Sequence, residues 1–132
     1  MVKKNPVEEA RRYVENAKTL LVEHGELDVE TRSYSDPKYV KMAGNTLWNG
    51  VLVILDAAFH VRKDRRTRVH IKDYQEAVGK RDKKLLQYLN MGYEIMHIYM
   101  GYDGTKSKAT CDDGFRVANQ IIDSCAVMLK AS

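Results

Sequence analysis

Between Pro37 and Arg62 the chain reads PKYVKMAGNTLWNGVLVILDAAFHVR, and this stretch limits the possible folds more than any other. Ser35-Asp36-Pro37 supplies an N-cap residue followed by proline at the first helical position, so a helix is expected over residues 37–62. At 100° per residue, Tyr39, Ala43, Leu47, Trp48, Val51, Ile54, Leu55 and Ala58, with their apolar and small neighbours, cover most of its circumference. A helix that is apolar nearly all round has to be surrounded. The expected architecture is therefore an all-α, antiparallel up-and-down bundle of four long helices plus one short helix, with residues 37–62 at its centre. A chain of 132 residues fits a single domain over residues 1–132. The same apolar circumference predicts a homodimer, because a monomer this small has few helices with which to cover it.

The flanking segments supply the other helices. Asn5-Pro6-Val7-Glu8 is a capped start, and Val7, Ala10, Val14, Ala17 and Leu21 recur at helical steps until His24-Gly25, where Gly25 reads as a left-handed terminator. Residues 26–35 are polar and aperiodic. Ile71 to Val78 reads as a short helix closed by Gly79. Residues 82–100 carry Leu85, Leu89, Gly92, Met96 and Tyr99 or Met100 on one face and stop at Gly101. After the turn chemistry of residues 102–107, Thr110 and Asp113 form a cap pattern that opens the last helix.

The longest apolar run, Val51 to Leu55, is far below the roughly 20 residues a membrane-spanning helix needs, and the N-terminus lacks an apolar signal-like run. A cytoplasmic protein without a membrane role is expected. Cys111 and Cys125 fall on one predicted helix about 21 Å apart at 1.5 Å per residue, too far for a disulfide. No Cys or His stands beside them at ligand spacing, so neither a metal nor another cofactor is expected.

The charge is concentrated. The net charge of +4 is carried by Arg62, Lys63, Arg65, Arg66 and Arg68 less Asp64, and the remainder of the chain balances. Lys80, Arg81, Lys83 and Lys84 form a second basic knot. Together these residues are the expected ligand-binding set for RNA or another phosphate-bearing partner, with a solvated connector as the alternative. Arg65 and His70, four residues apart, are the candidate catalytic pair. An imidazole can move protons at the 2′-hydroxyl and the leaving oxygen of RNA while a guanidinium stabilises phosphate charge, without a metal. Nine arginines and four histidines would match such a spacing about once by chance.

Asn45, Asn49, Asp56 and His60 fall within about 60° of arc on the central helix, with Lys63 continuing the strip. They form a reserve polar strip whose simplest role is the helix's solvent face. His97, in EIMHIYM, sits among core-type residues and is expected to be a hydrogen-bonded structural group. The eight tyrosines read as core and boundary residues.

The segments ARRYVENAKTLL, YVKMAGNTLWNGVLVILDAAF and LLQYLNMGYEIMHIYMGYDG resemble an uncharacterised family of small bacterial helical-bundle proteins and, more distantly, the HEPN superfamily. The likeness spans about residues 7–129. It implies a homodimer and, for the ribonuclease members of that superfamily, an Arg-x(4–6)-His motif contributed by each subunit to a shared cleft. Matched residue by residue, Arg65 takes the arginine position and His70 the histidine. Arg66 departs from the small polar residue usual after the motif arginine, and the motif lies earlier in the chain than is usual. Many HEPN-like proteins lack the motif, and for them the resemblance implies binding of partners or nucleotides without cleavage. The competing reading of this chain is a non-catalytic protein–protein interaction module.

Overall fold

The computed structural model describes residues 5–64, 66 and 68–131. Helices dominate it: α1 (Pro6–His24), α2 (Pro37–Phe59), α3 (Ile71–Gly79), α4 (Lys83–Gly92) and α5 (Lys108–Ala131). A π-helical segment, Tyr93–Tyr102, continues α4 without a break. With α4 and that segment counted as one long element, this is the all-α bundle of four long helices and one short helix that the sequence predicts.

The capping chemistry acts largely where it was expected. The Asn5 side chain accepts the N–H of Val7 at 2.9 Å, and the Asp36 side chain accepts that of Lys38 at 3.0 Å. Each satisfies one of the donors that a helix start leaves open. Other boundaries differ. Gly25 is not left-handed (φ −70°); the positive φ falls on Glu26 (52°). Gly25 is glycine for a steric reason, since a Cβ there would stand 2.6 Å from Leu21 O and 2.8 Å from Tyr34 Cδ1. The central helix ends at Phe59 rather than residue 62, turned off by His60 in the left-handed conformation. At α5 the cap is Ser107, whose Oγ accepts the Thr110 N–H at 3.2 Å, so Thr110 lies inside the helix.

Residues 26–35 are more ordered than their polarity suggests. Leu27–Asp28 (β1) pairs antiparallel with Ser33–Tyr34 (β2), Leu27 facing Tyr34 and Asp28 facing Ser33. The Asp28 carboxylate closes the turn by accepting from Glu30 N at 3.0 Å, and buried Tyr34 pins the hairpin to the core. Strands this short show no alternation that could reveal them.

α2 is the hub of the core. Val40, Ala43, Leu47, Val51, Ile54 and Leu55 are completely buried, and α1, α5 and the π-helical segment all pack against it. The chain thus covers its own central helix almost entirely, Met42 being the large apolar α2 side chain left exposed. The argument that an uncovered α2 requires a second copy therefore fails. Exposed Val22, Leu27, Val29 and Val127 lie instead on α1, the hairpin and α5.

The sequence pattern implies one continuous α-helix over residues 82–100; the structure widens its second half to the π form, the ladder finishing with Asp103 N–H donating to Ile98 O at 2.8 Å. Helices of this kind are uncommon and concentrate at functional sites. Gly44 of α2 makes room for the wider backbone: a Cβ there would stand 2.5 Å from Met100 Cβ and 2.7 Å from both Met96 O and Gly101 N. Met96 and Met100 point into the core, while Tyr93 and His97 reach the other side, against Trp48.

Candidate functional site

The α2–α3 connector and the first turn of α3 close one side of a cleft of about 290 Å³. Trp48 and Leu52 from α2 form its back, Tyr93 and His97 from the π-helical segment form one wall, and Arg68, Val69, His70, Ile71 and Tyr74 form the other. His70 is held by local chemistry. As N-cap of α3 its N–H donates to Asp73 Oδ2 at 2.8 Å, and Asp73 N–H returns a bond to His70 O at 3.0 Å. That reciprocal pair fixes the backbone from which the imidazole projects.

Three rings pack together at the back. Tyr93 and His97 have centroids 5.2 Å apart, Trp48 and Tyr93 5.7 Å in an edge-on arrangement, and Trp48 and His97 6.0 Å. These separations fall in the favourable range for offset and edge-to-face aromatic contacts. His97 departs from its expected role, because its Nδ1 is buried and, among the described residues, is the buried side-chain nitrogen or oxygen without a hydrogen-bond partner. Leaving such a group unpaired costs about 1–3 kcal/mol, so a structural histidine would be expected to find a partner there.

Beneath the cleft, Tyr74 donates its hydroxyl to Asp56 Oδ1 at 2.9 Å, and Arg62 Nε lies 3.9 Å from Asp56 Oδ2. Burial first, then the Asp56 hydrogen bond and charge, push the Tyr74 hydroxyl well above its ordinary value, with Arg62 pulling the other way. Tyr74 is therefore a committed donor to Asp56 rather than a proton-transfer group.

The structure divides the sequence-predicted residues. Arg68 and His70 share the cleft; Arg65 lies outside the described residues. In the Asn45-Asn49-Asp56-His60 strip, Asn45, Asn49 and His60 are exposed, His60 ends α2, and Asp56 meets Tyr74 and Arg62. Of the basic set, Lys63, Arg66, Lys80, Lys83 and Lys84 are exposed. Arg81 instead braces the fold, its guanidinium 5.3 Å from the Phe59 ring centroid and its Nη1 donating to Ala58 O at 3.4 Å. Because Arg81 and Arg62 both meet the last turn of α2, the two basic knots gather at one end of the bundle.

Sequence reasoning missed the aromatic wall. Tyr93 and His97, four residues apart, were a readable pair, but Trp48 joins them only through tertiary packing. Cys111 and Cys125 are free and buried in α5, and burial pushes both thiols up to about 12. Among the described residues no group of three His, Cys, Asp or Glu side chains is placed to hold a metal ion, and no helix is long and apolar enough to cross a membrane.

Comparison with known proteins adds fold and kinship. A solved structure of a protein of unknown function from Dyadobacter fermentans superimposes with a TM-score of 0.83 at 35% sequence identity, covering 96% of each chain. No curated protein matches. Residues 5–126 match the family described as a domain of unknown function, DUF5618. The chain belongs to that DUF5618 family.

Proposed function

We propose that this chain is an HEPN-like RNA-binding protein that engages single-stranded RNA at the basic end of the bundle, with the Arg68 and His70 cleft as the point of chemistry. One observation carries the reading: an arginine and a histidine line one cleft in a chain whose basic side chains Lys63, Arg66, Lys80, Lys83 and Lys84 are exposed. Phosphate contacts made by such side chains release counterions, which gives affinity without sequence preference. The reading includes metal-independent cleavage. His70 takes the 2′-hydroxyl proton as that oxygen bonds to the neighbouring phosphorus; the bond to the 5′-oxygen breaks, and that oxygen leaves with a proton from water or a protonated group. Arg68, with Arg65 as the motif arginine, stabilises the phosphate charge.

The test is binding and cleavage of mixed-sequence single-stranded RNA at low and physiological salt, comparing wild type with His70→Ala. Affinity should fall steeply with salt for both proteins, and cleavage should vanish in the variant. Absent or salt-insensitive binding overturns the RNA reading; cleavage that survives His70→Ala removes His70 from the chemistry.

A second reading, a non-catalytic interaction module that includes self-association, is favoured by a separate groove of about 550 Å³ along α1 and α5, where Val22 and Leu27 stand exposed beside Phe115 and Tyr34. Its mark would be a homodimer in sedimentation that Val22→Asp converts to monomer.

A further inference from the structure

We propose that the groove between α1, α5 and the hairpin is a binding site for a small uncharged amphipathic molecule whose carbonyl oxygen accepts a hydrogen bond from the Tyr34 hydroxyl. The inference is independent of the RNA reading, because the groove shares no residue with the Arg68 and His70 cleft. Its volume of about 550 Å³ sits within the roughly 300 to 1,000 Å³ of small-molecule sites. Both ends are closed. At one end the hairpin stands across it with Leu27 and Tyr34. At the other, one helical turn beyond Glu15 and Asn119, Arg11 Nη2 donates to Asp123 Oδ1 at 2.8 Å and ties α1 to α5. The stretch of α1 left between, from Val14 to Val22, is about 12 Å long at 1.5 Å per residue. That suits a molecule of a few rings and is too short to seat a helix of a second copy lengthwise.

Tyr34 carries the argument. The residue is 8% exposed, yet its hydroxyl has no hydrogen-bond partner among the described residues and is not sealed from solvent. Since Tyr34 lines the groove, that hydroxyl is open to whatever enters it. A buried tyrosine usually places its hydroxyl on a partner; here the partner has to come from outside the chain. Burial first, then Cys111 and Asp112, push the hydroxyl above its ordinary value, so it keeps its proton and acts as a donor. Its complement is an acceptor oxygen.

Charge selects the class of acceptor. On the α5 wall Lys108 is held by Asp112 at 2.6 Å; on the α1 wall Glu15 and Lys18 have no ion-pair partner among the described residues. The four charges cancel. An anionic head at Tyr34 meets the Asp112 charge that already acts on the phenol, and a cationic head meets Lys108 and has no use for a donor. A carbonyl incurs neither penalty, while Val14, Leu21 and Phe115 supply apolar surface for the body of the molecule.

The experiment titrates the full chain with two dyes: Prodan, an uncharged naphthalene ketone whose emission reports polarity and hydrogen bonding, and N-phenyl-1-naphthylamine, an uncharged dye without a carbonyl. Prodan should bind saturably, one per chain, with a blue shift. Tyr34→Phe, which keeps the ring, should weaken Prodan about tenfold and leave N-phenyl-1-naphthylamine unchanged, whereas Phe115→Glu should weaken both. The melting temperature should survive Tyr34→Phe, because the deleted hydroxyl has no partner in the chain. If that variant misfolds, the ¹³Cζ shift of Tyr34 in wild type answers instead and should move on Prodan binding. An unmoved resonance, or Prodan uptake that both substitutions leave intact, overturns the site. As competitors, 2-acetonaphthone should displace Prodan about tenfold more effectively than 2-naphthoate or 2-naphthylmethylammonium; equal displacement by either ion overturns the ligand class. Uptake that falls as the chain self-associates in sedimentation shows that a second copy fills the groove, and overturns the proposal.

Discussion

α2 has two contrasting sides. Toward α1, α5 and the Met96–Met100 face of the π-helical segment it presents glycine and aliphatic surface packed so closely that a Cβ on Gly44 would meet backbone atoms at 2.7 Å. Toward α3, its last two turns meet a polar arrangement, with Asp56 shared between Tyr74 and Arg62 and a cleft left open above it. The first side concentrates stability. The second gives up packing density and gains space, charge and an unpaired ring nitrogen. Proteins commonly separate rigid scaffold from functional surface in this way, and the comparison can be tested on each side.

Alkaline pH should act hardest on the dry side. Cys111 and Cys125 are fully buried and their thiols are raised to about 12 from an ordinary value near 9. Between those limits the unfolded chain gives up thiol protons that the folded chain keeps, so stability falls as pH rises. Each thiol contributes about 1.4 kcal/mol per pH unit across that window. Circular dichroism against pH should show cooperative unfolding well before pH 12, and a Cys111→Ala, Cys125→Ala variant should lose stability less steeply as pH rises. An unchanged slope in the double variant would mean that the thiols are hydrated and the seam is less dry than the packing implies.

Gly44→Val comes next. Its methyl groups would have to displace the backbone at Met96 and Gly101, and overpacking of this kind costs about 3 kcal/mol. The gain in helix propensity on replacing glycine, below about 1 kcal/mol, offsets only part of that. Urea denaturation should show the loss, and a loss below about 1 kcal/mol would break the comparison by showing that the seam yields.

The two sides were also unequally legible in the sequence. The dry side follows from periodicity: Ala43, Leu47, Val51 and Ile54 announce a surrounded helix, and Leu85, Leu89 and Met96 announce the one that packs on it. The π-helical widening was hidden, because Met96 and Met100 are four residues apart and suit an α-helix equally well, while the feature that admits the wider backbone, Gly44, lies on another helix. The cleft was half visible. Arg68 and His70 stand out by composition and spacing, but the ring wall opposite them is made by Trp48, Tyr93 and His97, residues that local patterning assigns to core and boundary. His97 illustrates the limit, since an apolar neighbourhood in sequence predicted a satisfied histidine, whereas only the three-dimensional arrangement reveals that its buried Nδ1 has no hydrogen-bond partner among the described residues.

Tyr74→Phe should give the smallest effect and sharpen the contrast most. The hydroxyl donates to Asp56 at 2.9 Å, but the Asp56 side chain is 26% exposed and keeps Arg62 at 3.9 Å, so water and the guanidinium can replace much of what is lost. A hydrogen bond to a charged group under those conditions contributes about 1–1.5 kcal/mol, below the loss expected from Gly44→Val. A stability loss equal to that of Gly44→Val would make the cleft wall as unyielding as the seam, and the two sides of α2 would then differ in polarity but not in rigidity.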